Sequence, residues 1–227
     1  MADDSRARWV TFDCYGTLID WNGGVSVAMR RLWPDADTAR LLARYHAVEP
    51  LIQEDRPLPY KEVLARCLRA VAAMEGSLLS PDQEHSLSDS LPSWPAFPEV
   101  PAALQALRDY GWKLAILSNT DPDLLATSLL QIGVPIDLTI TAAEAGSYKP
   151  ARGHWDAFYR TSSADPARHV HVAASLFHDI TPAHELGIPA VWINRSSERS
   201  GVPRTAELAD LSRLPETLDQ VVATSSP

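Results

Sequence analysis

The first group in this chain whose type and position suit covalent chemistry is Asp13, a carboxylate that closes the β-type run 9–13. The polar string Cys14-Tyr15-Gly16-Thr17 follows it directly. Three more polar clusters stand at the ends of such runs. Ser118-Asn119-Thr120 closes 113–118, Gly146-Ser147-Tyr148-Lys149-Pro150 follows 137–141, and a segment ending on Asp179 follows 169–173. Brought together, a carboxylate, a hydroxyl–amide pair, a lysine and a second carboxylate could form and break an ester on the first carboxylate. These groups lie far apart along the chain, so only a fold that gathers strand ends can assemble them.

The pattern of elements predicts such a fold. The runs 9–13, 113–118, 137–141, 169–173 and 189–194 read as strands, and helical patterns at 100–110, 121–131, 153–161 and 181–186 alternate with them. Gly111, Gly133 and Gly187 close helices, a position that favours the left-handed backbone. Strands alternating with helices predict an α/β fold, a Rossmann-like doubly wound parallel sheet. In such sheets ligands bind at the carboxyl ends of the strands, where all four polar clusters fall. The segment 21–96 breaks the alternation with helical signals at 40–53 and 60–74, where Val63, Leu64, Leu68 and Val71 recur at helical spacing. It reads as an all-helical cap (21–96) inserted into a core made of 1–20 and 97–227, punctuated by prolines at 57–59 and 92–98. The last residues, 224–227, read as a frayed tail.

Composition narrows the partners. Of 227 residues, 45% are hydrophobic and 22% charged, which is ordinary for a globular protein. Twenty Lys and Arg against 29 Asp and Glu give a formal net charge of −9. That balance argues against nucleic acid or an anionic membrane as partner, since there is no basic surplus to neutralise phosphates. No apolar run approaches the roughly 18–20 residues that span a bilayer, and the charged start 1–8 does not resemble a signal peptide. The two cysteines, Cys14 and Cys67, make neither a disulfide framework nor a metal site, so a reduced, cytoplasmic protein is expected.

The ordered motifs Thr11-Phe12-Asp13-Cys14-Tyr15-Gly16-Thr17-Leu18, Leu117-Ser118-Asn119, Tyr148-Lys149-Pro150 and Asp179 resemble the four motifs of the haloacid dehalogenase superfamily. The helical segment after the first motif also fits that superfamily's cap position. Superfamily phosphatases carry a second aspartate two residues after the nucleophile, where this chain has Tyr15, and a further acidic residue where it has Ala174. Losing an acid for the leaving alcohol and a magnesium ligand argues against phosphoryl transfer. Tyr15 is instead similar to the L-2-haloacid dehalogenase branch.

That resemblance implies a hydrolase that needs no metal or other cofactor and acts on a small anionic organic acid. Asp13 attacks the carbon bearing halide, and water hydrolyses the resulting aspartyl ester to a 2-hydroxy acid. It implies that Lys149 and Thr17 hold the Asp13 carboxylate, that Ser118 binds the substrate carboxylate, and that Asn119 touches halide or substrate. Asp179 is expected to position or activate water. Tyr15 falls among the substrate-binding positions. Arg44, 31 residues after Asp13, matches the place of a halide-gripping cap arginine, and its permanent charge suits an anion. Trp155 stands where the branch has a tyrosine and is expected among the substrate-binding residues, and Ala174 and Leu176 stand where the branch has a serine and an asparagine. The resemblance also implies a homodimer formed through the cap.

Two alternatives stay open. One is a magnesium-dependent phosphatase holding its metal on Asp13 and Asp179; the other is a ring-opening hydrolase of a small cyclic acid. His178 reads as a packing residue beside Asp179. His169 and His171 alternate on one strand without further ligands and do not read as a metal site. Cys14 is expected to turn away from Asp13 into the core.

Overall fold

The computed structural model describes residues 7–54 and 58–224. The proline at position 57, the terminal segment 1–6 and the tail residues 225–227 lie outside the described residues.

The chain opens with β1 (Arg8–Phe12) and then runs through a stretch without strands: α1 (Trp21–Leu32), α2 (Thr38–Glu54), α3 (Tyr60–Met74), α4 (Pro81–Glu84) and α5 (Ser86–Ser90). The alternating part follows, with α6 (Val100–Asp109), β2 (Trp112–Ser118), α7 (Pro122–Ile132), β3 (Leu138–Thr141), α8 (Ala142–Ala145), α9 (Gly153–Ser162), β4 (His169–Ala173), α10 (Thr181–Glu185), β5 (Ala190–Ile193), β6 (Ala206–Leu208) and α11 (Leu214–Thr224). All six strands are parallel, in the order β3-β2-β1-β4-β5-β6. This is the doubly wound α/β sheet the sequence predicts. The sequence gives no sign of the sixth strand, because three residues at a sheet edge leave no periodic signal.

The central strands are buried on both faces, as parallel strands covered by helices must be. Their side chains divide by alternation. Val10, Phe12 and Cys14 join Leu114, Ile116, Val170 and Val172 in one cluster, while Trp9, Ala115, Leu117 and Ala173 face the other. Cys14 is thus buried opposite Asp13, as expected.

The helical segment packs into the first of these clusters. Leu41, Tyr45 and Val48 of α2 and Val63, Leu64, Leu68 and Val71 of α3 are buried there with the sheet. The chain enters and leaves this segment along paired connections: Asp20 N–H donates to the Pro95 carbonyl and Phe97 N–H to that of Leu18, at 2.9 Å each. Gly24 of α1 allows the close approach of Trp94, since a Cβ there would meet the indole at 2.3 Å.

Candidate active site

The β1 strand ends where Gly16, at a φ of +86°, reverses the chain after Asp13, a conformation that glycine adopts without strain. The turn folds Thr17 back, and its hydroxyl donates to Asp13 Oδ2 at 2.9 Å. Thr17 Oγ1 in turn accepts the Ala174 N–H at 2.9 Å, tying the β1 and β4 ends together. The other carboxylate oxygen, Oδ1, accepts from Lys149 Nζ at 2.9 Å.

Lys149 is buried with all three of its donors used. Besides Asp13 it reaches the Leu117 carbonyl at 2.7 Å and Asp179 Oδ1 at 2.6 Å. Asn119 fixes the loop that delivers it: the Lys149 N–H donates to Asn119 Oδ1 at 2.6 Å, and Asn119 Nδ2 donates to the Lys149 carbonyl at 3.0 Å. Asn119 lines the cleft, yet its amide serves first to hold the lysine.

Three buried charges therefore share one cage. Burial disfavours the ammonium of Lys149, but Asp13 and Asp179 outweigh it, so its pKa is raised and the proton stays. Asp179 is held below the ordinary carboxyl range: burial pushes its pKa up, and Lys149 with His171 pulls it further down. Asp13 moves the other way. Burial and the Asp179 charge raise its pKa against the pull of Lys149 and Thr17. One ammonium faces two carboxylates, and the excess negative charge falls on a desolvated Asp13.

Behind Asp179 runs a chain of hydrogen bonds that the motifs gave no sign of. His171 Nε2 lies 3.0 Å from Asp179 Oδ1, and its Nδ1 lies 2.8 Å from Thr11 Oγ1. The same hydroxyl lies 2.7 Å from His169 Nε2, whose Nδ1 lies 2.7 Å from the Tyr159 hydroxyl. Burial, with His171 adding, holds the pKa of His169 far below its ordinary value, so that ring is neutral. The ionised Asp179 carboxylate can only accept, so His171 donates to it from Nε2, and Thr11, His169 and Tyr159 continue the run of hydrogen bonds behind it. Asp179 Oδ2 keeps no partner although buried.

These groups open into a cleft of about 560 Å³. Asp13, Tyr15, Ser118, Asn119, Lys149 and Asp179 all line it. Ser118 Oγ is buried without a hydrogen-bond partner, so it is free for a ligand. Tyr15 presents its ring, while its hydroxyl lies 2.9 Å from Ser128 and burial raises its pKa strongly. Such a phenol is not placed to act as an acid beside Asp13.

Two expected residues are not brought to the cleft. Arg44 is bound by Glu75 on another face of α2 and is absent from the lining, because helical spacing turns it away from His46, Glu49 and Gln53, which do line it. Trp155 is buried beneath the sheet with its ring 5.5 Å from His171, so it supports that ring rather than a ligand. His178, expected to pack, lines the cleft with its Nδ1 3.2 Å from the Ser175 hydroxyl. Arg195, missed in the sequence, also lines the cleft. It donates to the Thr17 carbonyl at 2.8 Å and to Glu99 at 2.7 Å.

Among the described residues, no group of three or more His, Cys, Asp and Glu side chains is arranged to hold a metal ion. No described helix is long and apolar enough to cross a membrane. The family model for haloacid dehalogenase-like hydrolases matches residues 7–187. The chain belongs to this family. Among curated relatives it is 26% identical to (S)-2-haloacid dehalogenase 1 of Pseudomonas sp. strain CBS-3, over 93% of this chain and 96% of that one. It is 25% identical to (S)-2-haloacid dehalogenase of Pseudomonas sp. strain YL, over 83% of each. The haloacid dehalogenase-like fold is shared with the L-2-haloacid dehalogenase of Xanthobacter autotrophicus solved with chloropropionic acid covalently bound, at a TM-score of 0.83 and 17% identity, over 94% of this chain and 98% of that one.

Proposed function

We propose that this protein removes halide hydrolytically from a small 2-haloacid, with Asp13 as nucleophile and without a metal. The observation that carries the reading is the Asp13 carboxylate itself, fixed at both oxygens by Lys149 and Thr17 and carrying the uncompensated charge of the cage. A desolvated carboxylate attacks carbon well, and a halide leaves as a stable anion that needs no proton. The new C–O bond forms as the carbon–halogen bond breaks, and the electron pair departs with the halide. Ser118 Oγ, buried and unpartnered, is the donor offered to the substrate carboxylate.

Water then attacks the ester carbonyl of Asp13. Lys149 Nζ, 2.9 Å from one Asp13 oxygen, stabilises the developing oxyanion. Asp179 Oδ2, buried and unpartnered, holds the attacking water, and the His171 bond keeps that carboxylate in place. Collapse breaks the ester C–O bond; one proton of the water passes to the departing alkoxide and the other to solvent, which returns the Asp13 carboxylate and frees a 2-hydroxy acid. The helices 21–96 form the cap that covers the nucleophile.

The phosphatase reading lacks support on three counts. Tyr15, in the position of the second aspartate, is turned to Ser128, and Ala174 offers no carboxylate. The ammonium of Lys149 already bridges the two carboxylates that would share magnesium. The test is halide release from (S)- and (R)-2-haloacids by wild type and Asp13→Asn, with and without a chelator. Release that is lost in Asp13→Asn and unchanged by the chelator is expected. Single-turnover reaction in heavy-oxygen water should label Asp13 rather than the product; label in the product instead would remove the ester intermediate.

A further inference from the structure

The part of the cleft wall contributed by α2 is polar, where the chain of a haloalkanoic acid would present only carbon. His46, Glu49 and Gln53 of α2 line it at the i, i+3, i+7 spacing of one helix face. Glu49 is held in place rather than free on a surface. The Tyr45 and Tyr60 hydroxyls both donate to its Oε1, at 3.3 and 3.1 Å, and Tyr60 is itself fixed by Trp21 Nε1 at 3.3 Å. Among the described residues no hydrogen bond reaches Oε2. A carboxyl oxygen is thus anchored on one side and open to the cleft on the other.

The charges of the lining point the same way. Asp13, Asp20, Glu49, Asp179 and Glu198 face the cleft against Lys149 and Arg195. Lys149 is consumed by Asp13 and Asp179, and Arg195 is matched by Glu99. Arg44, the remaining cationic candidate on α2 from the sequence, is held by Glu75. A plain haloacid brings one more negative charge into this cleft. Its volume, about 560 Å³, lies within the range of sites for larger ligands, roughly 300–1,000 Å³.

We propose that the α2 face is a recognition site for a cationic group of the substrate, so that the substrate is a zwitterionic 2-substituted acid whose ammonium, beyond the reacting carbon, is bound by Glu49. This deepens the reading of Asp13 as nucleophile and rests on it for the reacting end alone. Burial pushes the Glu49 pKa up to about 7, so an arriving ammonium finds a carboxyl that readily gives up its proton to form the pair. Gln53 and His46 flank that position with neutral polar groups.

Binding separates this proposal from the chemistry. Calorimetric titration of the Asp13→Asn protein, which holds the acids without turning them over, would use 2-chloro-6-aminohexanoate against 2-chlorohexanoate, and 2-chloro-4-aminobutanoate against 2-chlorobutanoate. At one or both lengths the ammonium acid should bind at least about tenfold more tightly, the worth of one charge-assisted hydrogen bond. Adding Glu49→Gln should reduce that preference below about twofold. Equal or weaker binding of both ammonium acids, no binding of any of the four, or a preference that survives Glu49→Gln overturns the proposal. Halide release from the same acids by wild type tests the nucleophile separately. If the ammonium acids bind as expected but no halide is freed, the dehalogenation reading fails while the recognition site stands.

Discussion

Ionising Glu49 is expected to cost the folded protein stability as pH rises from about 4.5 to about 7. Burial between α2 and α3 pushes its pKa from the ordinary 4.5 up to about 7, against the pull of the Tyr60 and Tyr45 hydroxyls. The unfolded chain gives up this proton near the ordinary value, and the folded chain keeps it to about 7. Across that window the folded state binds more protons, so stability falls with rising pH; above it both states are ionised and the loss is complete. At about 1.36 kcal/mol for each pH unit, the rise from 4.5 to about 7 corresponds to about 3.4 kcal/mol. Glu49 borders the cleft, where solvent screens its charge, so about 2 kcal/mol is expected. The groups packed around it do not share the effect. Burial raises Tyr45, Tyr60 and Tyr148 above their ordinary values and pushes the Cys67 thiol up to about 12, so all stay neutral. His46, lowered by burial, titrates in both proteins and cancels in the comparison. The assay is urea unfolding of wild type and Glu49→Gln at about pH 4 and about pH 8. Between those conditions the stability difference should move toward the variant by about 2 kcal/mol. A movement below about 0.5 kcal/mol would refute the claim that this carboxyl is desolvated.

Two further outcomes follow from the ion pairs. Lys149→Met leaves Asp13 and Asp179 buried without their shared ammonium, so unfolding near neutral pH should show a loss of about 3–5 kcal/mol and halide release should fall to background; a variant as stable as wild type would contradict the cage. Arg44→Met breaks a partly exposed pair with Glu75 worth about 0.2–1 kcal/mol and leaves the cleft lining intact, so halide release should change by less than about threefold, whereas a hundredfold loss would place Arg44 in the cleft during turnover.

The strand-end logic makes the sheet half of the candidate site legible. Asp13, Ser118, Lys149 and Asp179 sit at the ends of strongly apolar runs, and a parallel sheet can only gather such ends on one edge. The cap half was less legible, for a physical reason. A polar helix face at i, i+3, i+7 is what a solvated surface shows as well, so His46, Glu49 and Gln53 carry no signal until the sheet is placed opposite them. Arg44 illustrates the converse. Its distance from Asp13 along the chain matched a family position, but a helix turns about 100° per residue, and a small offset in register moves a side chain to another face. As sequence, His169 and His171 raise only the question of a metal site. Their use is as hydrogen-bond carriers, and the partners that reveal it, Thr11 and Tyr159, come from β1 and α9.

That buried chain explains how the cage tolerates its charge. An isolated carboxylate at the position of Asp179 would be costly, and an unpaired lysine more so. Lys149 and the His171 N–H both donate to Asp179 Oδ1, and Thr11 holds the other nitrogen of the His171 ring. With Asp179 so firmly ionised, half of the attraction of the ammonium is already committed. Asp13 receives the rest, enough to orient it and too little to quench it. A lysine serving Asp13 alone would make a tighter pair and a weaker nucleophile. In the proposed mechanism the second carboxylate therefore contributes to the first step before it handles any water, by keeping Lys149 from neutralising Asp13.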